Sequence, residues 1–434
     1  MKKILFSLAI CAGVAFANPL PVDKPKEVDM LSLLGESRDK IKQKNPMASV
    51  YVHSVGVDAT PDDAQYYDYL MSAYNQAVLE LKAQVILRKV GEVAFRETLD
   101  YYNKTMPEDL RDEKLKAKAD SMISEIEKGR NPDGFFALIG EVLKKIAGVE
   151  GKKDDINVKI QEDIFNKAMM EGFTKNSSDE ISGLVPVEAI IAINEDGSVE
   201  LGVVAYTTKN SIQLAKDLRQ GHPSKKTSKQ EQCIKAENIA NKLSNDELLS
   251  SFGIKYFYNE NCRPSLLAYG MDSFIGESGM NADYRAESLE RARAMADKFI
   301  SNFLSSNVNA FIKDSKSAQK TKKAIIDATK KEGKTGYKIT KKGPRSAIIK
   351  EMTKEFSSDS SMQLIGLEDA RTWSINRGDY TVVGVARYYS MDSINAAHKE
   401  FNPDLQENHE NHKENTKTYK SKVIRSNNLD VDDF

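Results

Sequence analysis

The sequence has little of what membrane-spanning, metal-binding and redox proteins depend on. Its 434 residues include three cysteines, five histidines and one tryptophan, and the formal net charge is −1. A charge this close to zero gives no overall field that would attract nucleic acid or an anionic membrane. Beyond the amino terminus, no apolar run reaches the roughly 20 residues that a membrane-spanning helix needs. The composition therefore argues against a nucleic-acid-binding protein and against a multi-span membrane protein.

The amino terminus has the three parts of an export signal. Lys2 and Lys3 precede an uncharged apolar stretch, and Ala15-Phe16-Ala17 is a small-x-small site that signal peptidase accepts. We expect cleavage after Ala17 and a periplasmic mature chain with no transmembrane segment. The apolar stretch is short for a spanning helix, which makes a retained membrane anchor the less favoured alternative.

Lipidation of the amino terminus is not predicted. Cys11 lies inside the apolar stretch directly after Ile10, and a lipoprotein signal requires a small residue at that place. We expect Cys11 to be removed with the signal, which leaves 61 basic and 64 acidic side chains in the mature chain. Export also makes ATP and DNA improbable partners. We predict no cofactor, no metal site and no nucleic-acid partner.

The two remaining cysteines are predicted to pair. In an oxidising compartment an even number of cysteines is more often bridged than free. A bond between Cys233 and Cys262 would close a loop of about 30 residues and contribute about 3 kcal/mol in the chain-entropy model. Two buried free thiols are the alternative. Neither cysteine has a neighbouring Cys or His in the sequence, so metal binding is disfavoured.

The strongest internal pattern is a duplication. In the first copy a β-rich run, Ser49–Gly56, leads to a long segment with helical periodicity, which we expect Thr60 to cap and Pro61 to begin. In the second copy Ser265–Gly270 leads to a matching segment. The apolar faces of the two helices align residue by residue as Leu70 with Leu289, Ala73 with Ala292, Ala77 with Ala296, Leu81 with Ile300 and Val85 with Leu304.

Each copy then closes with a predicted β-hairpin and a short helix. Val187–Ile193 and Val199–Tyr206 flank an Asp-Gly turn, and Met362–Ile375 and Tyr380–Tyr389 flank a second glycine turn. The closing strands read Leu-Gly-Val-Val-Ala-Tyr and Val-Gly-Val-Ala-Arg-Tyr. We therefore predict an α+β fold with two copies of a strand–long helix–helical insert–β-hairpin–short helix unit, in which antiparallel sheets carry helices on one face.

The predicted segments follow from this alignment and from composition. They are a signal peptide (1–17), a disordered leader (18–30), a first repeat (31–220) with a helical insert (about 90–182), a linker (221–232), a second repeat (233–402) with a basic insert (about 307–356), and a disordered polar tail (403–434).

The inserts leave two questions open. The first insert contains an apolar segment between Phe135 and Ile146, which is either a membrane-surface or partner helix or, as we favour, ordinary core. The second insert is rich in lysine and arginine. Its lysines, represented by Lys330, Lys331, Lys341 and Lys342, are candidates for contact with an anionic lipid or cell-wall glycan, or form a solvated loop.

The repeated unit resembles a family of small bacterial envelope lipoproteins that includes the lipoprotein of the flagellar basal disc. The resemblance is carried by Ser265–Gly270, Ala286–Leu304 and Leu364–Tyr389, and more weakly by Ser49–Val85 and Val187–Tyr206. The whole chain looks like an uncharacterised periplasmic protein family. The chain departs from the lipoproteins in lacking a lipidation site and in carrying two copies with large inserts. The resemblance implies assembly or scaffolding and brings no catalytic residues with it.

These observations favour a non-enzymatic periplasmic scaffold or interaction protein of the cell envelope, associated with a flagellar or other envelope assembly, with envelope proteins or further copies of itself as partners. Edge strands of the two sheets could pair with such partners. A binding module for anionic lipid or peptidoglycan, acting through the basic insert, is the alternative. A hydrolase with a spatially assembled site is less favoured, because no local catalytic motif is present and no catalytic residue can be named.

Overall fold

The computed structural model describes residues 28–127, 135–150, 163–164, 167–168, 181–305 and 364–401. The predicted signal and tail, and large parts of both inserts, lie outside these ranges. No helix within them is both long enough and apolar enough to cross a membrane.

Helices and strands alternate in two successive sets, which confirms the α+β class. The elements are α1 (Met30–Lys44), β1 (Ser49–Val57), α2 (Tyr66–Thr105), α3 (Glu113–Glu127), α4 (Phe135–Glu150), β2 (Val185–Ile193), β3 (Val199–Thr207), α5 (Lys209–Gln220), α6 (Ala236–Asn241), α7 (Asn245–Ser250), β4 (Gly253–Tyr258), β5 (Pro264–Phe274), α8 (Asn281–Leu304), β6 (Glu368–Asn376), β7 (Thr381–Tyr389) and α9 (Met391–Phe401).

The two sheets have the same core topology. The first has the order β1-β3-β2 and the second β4-β5-β7-β6, and all neighbouring strands are antiparallel. In both, the closing strand of the hairpin (β3 or β7) lies between the other hairpin strand and the strand that precedes the long helix. The second sheet has one extra strand, β4, which has no counterpart among the described strands of the first.

Small irregularities recur at matching places and support the duplication independently of the apolar pattern. Each hairpin carries a bulge where its first strand begins, between Pro186 and Glu188 and between Asp369 and Arg371. A capping box begins each short helix. Thr208 and Ser211 exchange hydrogen bonds in the first copy, and Ser390 and Ser393 do so in the second.

One glycine in each copy explains how the hairpin approaches the short helix. Gly183 and Gly366 have φ values of +130° and +84°. A Cβ on Gly183 would lie 2.7 Å from the Cα of Ile212, and one on Gly366 would lie 2.7 Å from the Cα of Ile394. Both positions therefore require glycine, for backbone conformation and for space.

The second long helix packs very closely on its sheet. Ala292 and Ala296 are fully buried, and a Cβ on Gly270 would lie 2.1 Å from the carbonyl oxygen of Ala292. Small residues on both sides allow this approach. Strand β5 does not end at Gly270, as the sequence suggested, but continues to Phe274. Val203 and Val385 occupy the same position in the two closing strands. His53 pairs with Val203 and Gly270 pairs with Val385, so His53 is the counterpart of Gly270.

Two expectations about the first repeat need correction. Helix α2 begins at Tyr66 and not at Pro61, because residues after Thr60 form turns and the carbonyl of Pro61 accepts a hydrogen bond from the Tyr380 hydroxyl. The helix then runs to Thr105, well past the predicted start of the insert at residue 90.

Helices cover both faces of the first sheet and not one face alone. A Cβ on Gly202 would meet the side chains of Met30 and Leu34, which places α1 on that face. Helix α2 lies on the other face, where Gln84 contacts His53. The apolar segment of the first insert is core, as favoured, because α4 packs on α2 and buries Leu138, Ile139, Val142, Leu143 and Ile146.

Candidate functional site

The predicted cysteine pair is at bonding distance. The Cα atoms of Cys233 and Cys262 are 5.0 Å apart, within the usual range for a disulfide. Cys262 lies in the turn between β4 and β5, and its carbonyl accepts a hydrogen bond from the amide of Thr227 at 2.9 Å. The pair ties the segment that links the repeats to the β4–β5 hairpin. It stabilises a loop and lines no cavity that we find among the described residues.

The same hairpin is fastened to the last helix by a buried polar network. Asn259 is fully buried and donates to Asp392 at 2.7 Å and to the Tyr388 hydroxyl at 2.9 Å. Arg263 contacts the other oxygen of Asp392 at 2.7 Å. Burial raises the pKa of the Tyr388 hydroxyl. These groups satisfy one another, so we assign them a structural role.

Two carboxyl groups meet where the first repeat contacts the second. Asp68 of α2 hydrogen-bonds to Asp272 of β5 and accepts a hydrogen bond from the Ser273 amide at 3.3 Å. Asp272 in turn accepts from Ser288 and, at 2.9 Å, from Arg291. Burial and then the neighbouring Asp272 raise the pKa of Asp68 to about 7. A protonated Asp68 can donate a hydrogen bond to the Asp272 side chain, which Arg291 contacts from the other side.

A buried lysine joins the two long helices nearby. The ammonium group of Lys82 contacts the carbonyl of Asn302 and lies 3.1 Å from that of Ser305, at the carboxyl end of α8. Asn302 also donates to Asn75 at 2.6 Å. Burial, with a smaller contribution from Arg219, lowers the pKa of Lys82 to about 7. Lys82 therefore fixes α2 against α8, and it is enclosed and not presented to a substrate.

A small cavity lies between the facing margins of the two sheets. It has a volume of about 100 Å³ and is lined by residues of β2, α7 and β4 together with Tyr74 and Tyr269. Typical small-molecule sites are several times larger. One oxygen of Glu188 is buried there and has no hydrogen-bond partner within the described part of the chain. The cavity is too small to define a ligand.

The outer edge of β1 carries backbone groups that no strand among the described residues pairs with. The amide of Asn194 donates to the carbonyl of Ser198 at 2.9 Å, which sets the alternation along β3. The backbone N–H and C=O groups of odd-numbered β3 residues therefore point towards β1. Those of their β1 partners point towards β3; these partners are Ser49, Tyr51, His53, Val55 and Val57. The backbone groups of Val50, Val52, Ser54 and Gly56 must point away from the sheet. Within the described ranges no strand pairs with them.

Polar side chains of α2 follow this margin. The Glu80 carboxyl group contacts the His53 imidazole, and Gln84 donates to the outward carbonyl of Val52 at 3.2 Å. Arg88 reaches the Tyr51 hydroxyl at 3.2 Å. In the second repeat, α8 has the buried residues Phe299 and Phe303 where α2 has Glu80 and Gln84, and there β4 makes β5 an internal strand. Glu80 is buried and Gln84 and Arg88 are half-buried, so this polar row packs beneath the strand margin.

The other sheet margins are protected by devices that β1 lacks. Strand β2 has Pro186 and a bulge and lies beside β4, and β4 carries Lys255. Strand β6 has a bulge and charged residues, and its Arg371 donates to carbonyls of the α6 segment. The β1 sequence Ser-Val-Tyr-Val-His-Ser-Val-Gly-Val has no proline, no bulge and no formally charged residue apart from a titratable histidine. Natural sheets block edges that are not used for pairing.

The sequence-predicted residues divide into two groups. Cys233 and Cys262 are brought together, whereas Lys330, Lys331, Lys341 and Lys342 lie outside the described residues. The carboxyl pair, Lys82 and the open edge were missed. The uncharged β1 run was a usable signal for the edge. The contacts of Asp68 and Lys82 join residues about 200 positions apart, which local patterns do not reveal.

Comparison with known proteins gives one family match, over part of the chain. Residues 137–220 match the family model described as "Domain of unknown function (DUF6844)". No curated protein matches. A crystal structure of hypothetical protein FTT1539c from Francisella tularensis is similar at 15% identity with a TM-score of 0.44, over 86% of this chain and 93% of that one. A TM-score of this size gives no argument about function.

Proposed function

We propose that this protein is a non-enzymatic interaction protein of the bacterial cell envelope, exported to the periplasm and built to pair with a protein partner. The observation that carries the proposal is the open outer edge of β1, with its outward backbone groups at Val50, Val52, Ser54 and Gly56. Such an edge recognises another strand through main-chain hydrogen bonds.

The second repeat supports this interpretation. Its counterpart of β1 is β5, and the outer edge of β5 is occupied by β4 over residues 264–269 and by Asp68 at the amide of Ser273. The unit therefore accepts an antiparallel strand at this margin. Asp68 and Lys82, whose pKa values are both strongly shifted, are occupied in joining the two repeats, which is consistent with a framework role.

The proposal is tested by cross-linking in the native envelope. A photoreactive amino acid at Gly56, which is exposed and has open space around it, should capture a protein through β1. The matched control carries the probe at Ala282, a small exposed residue on α8 of the second repeat. No protein adduct at Gly56, together with a strictly monomeric sedimentation profile, would count against an interaction role.

A further inference from the structure

We infer that the partner of the β1 edge is a second copy of this chain, bound through an antiparallel β1–β1 ladder with His53 at the two-fold axis. The inference rests on the proposed interaction role and assigns its partner.

The first argument is register. The four outward residues lie symmetrically about position 53, so an antiparallel copy centred there pairs Val50 with Gly56 and Val52 with Ser54 of the partner chain, and the reverse. Every outward group then meets another outward group, which gives about eight main-chain hydrogen bonds. Isologous dimers require this kind of self-complementary surface.

The second argument is charge. Self-pairing places each residue near its own copy, so a charged edge would meet like charge, which is destabilising in cross-strand pairs. The β1 run has no Asp, Glu, Lys or Arg. The titratable groups on the strand are Tyr51 and His53, and each His53 contacts Glu80 of its own chain. From the helix packed on β1, Gln84 and Arg88 also face this row. Two copies can therefore approach without a net charge on the shared strands.

The third argument concerns the one side-chain hydrogen bond that must break when the two strands pair. Gln84 donates to the Val52 carbonyl at 3.2 Å and would have to release it. Gln84 is half-buried, so its amide can turn to water while the carbonyl gains a main-chain donor. Gln84 therefore satisfies one outward carbonyl in the free monomer and still leaves the strand able to pair.

The test uses the full mature chain in sedimentation equilibrium at micromolar concentration. We expect a dimer for the natural sequence. Ser54→Pro removes an outward amide and leaves the β3-facing ones in place, and it should weaken dimerisation at least tenfold. The matched control, Ile193→Pro, changes an outward amide on the exposed end of β2 and should leave the dimer intact. Ser54→Lys, which adds like charge at the axis, should weaken the dimer in low salt more than in high salt.

A distance measurement fixes the register. A spin label at exposed Asp58 lies five residues from the axis, so two labels should be about 34 Å apart between Cα atoms at 3.4 Å per residue. A monomer, a dimer indifferent to both Ser54 variants, or a different label distance overturns the inference. If the Gly56 probe captures a different protein while the chain stays monomeric, the second-copy assignment fails and the interaction role stands. If neither is seen, both fail.

Discussion

Asparagine in place of Asp68 should make the folded chain more stable at neutral pH and leave it nearly unchanged in mild acid. The Asp68 carboxyl hydrogen-bonds to Asp272 across the contact between the repeats, and its pKa is raised from 3.8 to about 7. The folded state therefore holds this proton more tightly than the unfolded state. The stability that protonation contributes is present below about pH 4 and is lost as the pH rises from 4 to 7.

The size of the stability difference follows from the pKa shift of Asp68 and from the exposure of its side chain. A shift of about three pKa units corresponds to about 4 kcal/mol at 1.36 kcal/mol per unit. Asp68 is partly exposed, and solvent screening reduces this to about 2 kcal/mol. Asp68→Asn keeps a neutral donor beside Asp272, so it should gain about 2 kcal/mol over the natural chain at pH 7.5 and little at pH 4.5.

Urea unfolding followed by circular dichroism between pH 4.5 and 8 measures this difference. The control is Asp272→Asn, which leaves Arg291 without the carboxylate that it contacts at 2.8 Å and should destabilise the fold across the whole range. A stability difference between Asp68→Asn and the natural chain that does not change with pH would refute the reasoning. So would a loss of stability in Asp68→Asn at pH 7.5.

Three further changes separate the forces that hold the fold together. Cys262→Ser should cost about 3 kcal/mol, and two free thiols in non-reduced protein would contradict the pairing. Gly270→Ala places a Cβ 2.1 Å from the Ala292 carbonyl oxygen and should lower the free energy of unfolding by about 1–3 kcal/mol. Gly56→Ala is the control and should cost little, because no atom lies within 4 Å of the new Cβ. Equal unfolding midpoints for the two variants would contradict this. Lys82, with its pKa lowered to about 7, makes stability rise from pH 7 to 10.5, and Lys82→Met should abolish that slope in pH-dependent unfolding.

Local periodicity predicted the long helices and the hairpins, because burial on one side imposes a regular spacing. Ala73 and Ala77 were aligned with Ala292 and Ala296, and all four are buried against the sheets. The start of α2 was misplaced, because the Thr60–Pro61 signal competes with a tertiary hydrogen bond from Tyr380 that no local window contains.

Helix α1 shows a signal that was available and was not used. Its buried residues Met30, Leu34, Ser37 and Ile41 recur at helical spacing, but the surrounding charged residues hide the stripe. The carboxyl pair could not be predicted, since Asp68 and Asp272 come together only when two repeats of known orientation are packed. The cysteine pair could be predicted from the expected export of the chain and from the even number of remaining cysteines, although its position beside β4 could not.

The unequal margins of the two sheets limit how large an assembly can grow. A chain with two matching open margins would add copies at both ends and form a fibre without limit. In the described part of this chain, proline, bulges, charge or a neighbouring segment guard β2, β4 and β6, whereas on β1 the Gln84 side chain covers one outward carbonyl, that of Val52. If two copies pair through β1, growth through this single margin ends after one pairing event.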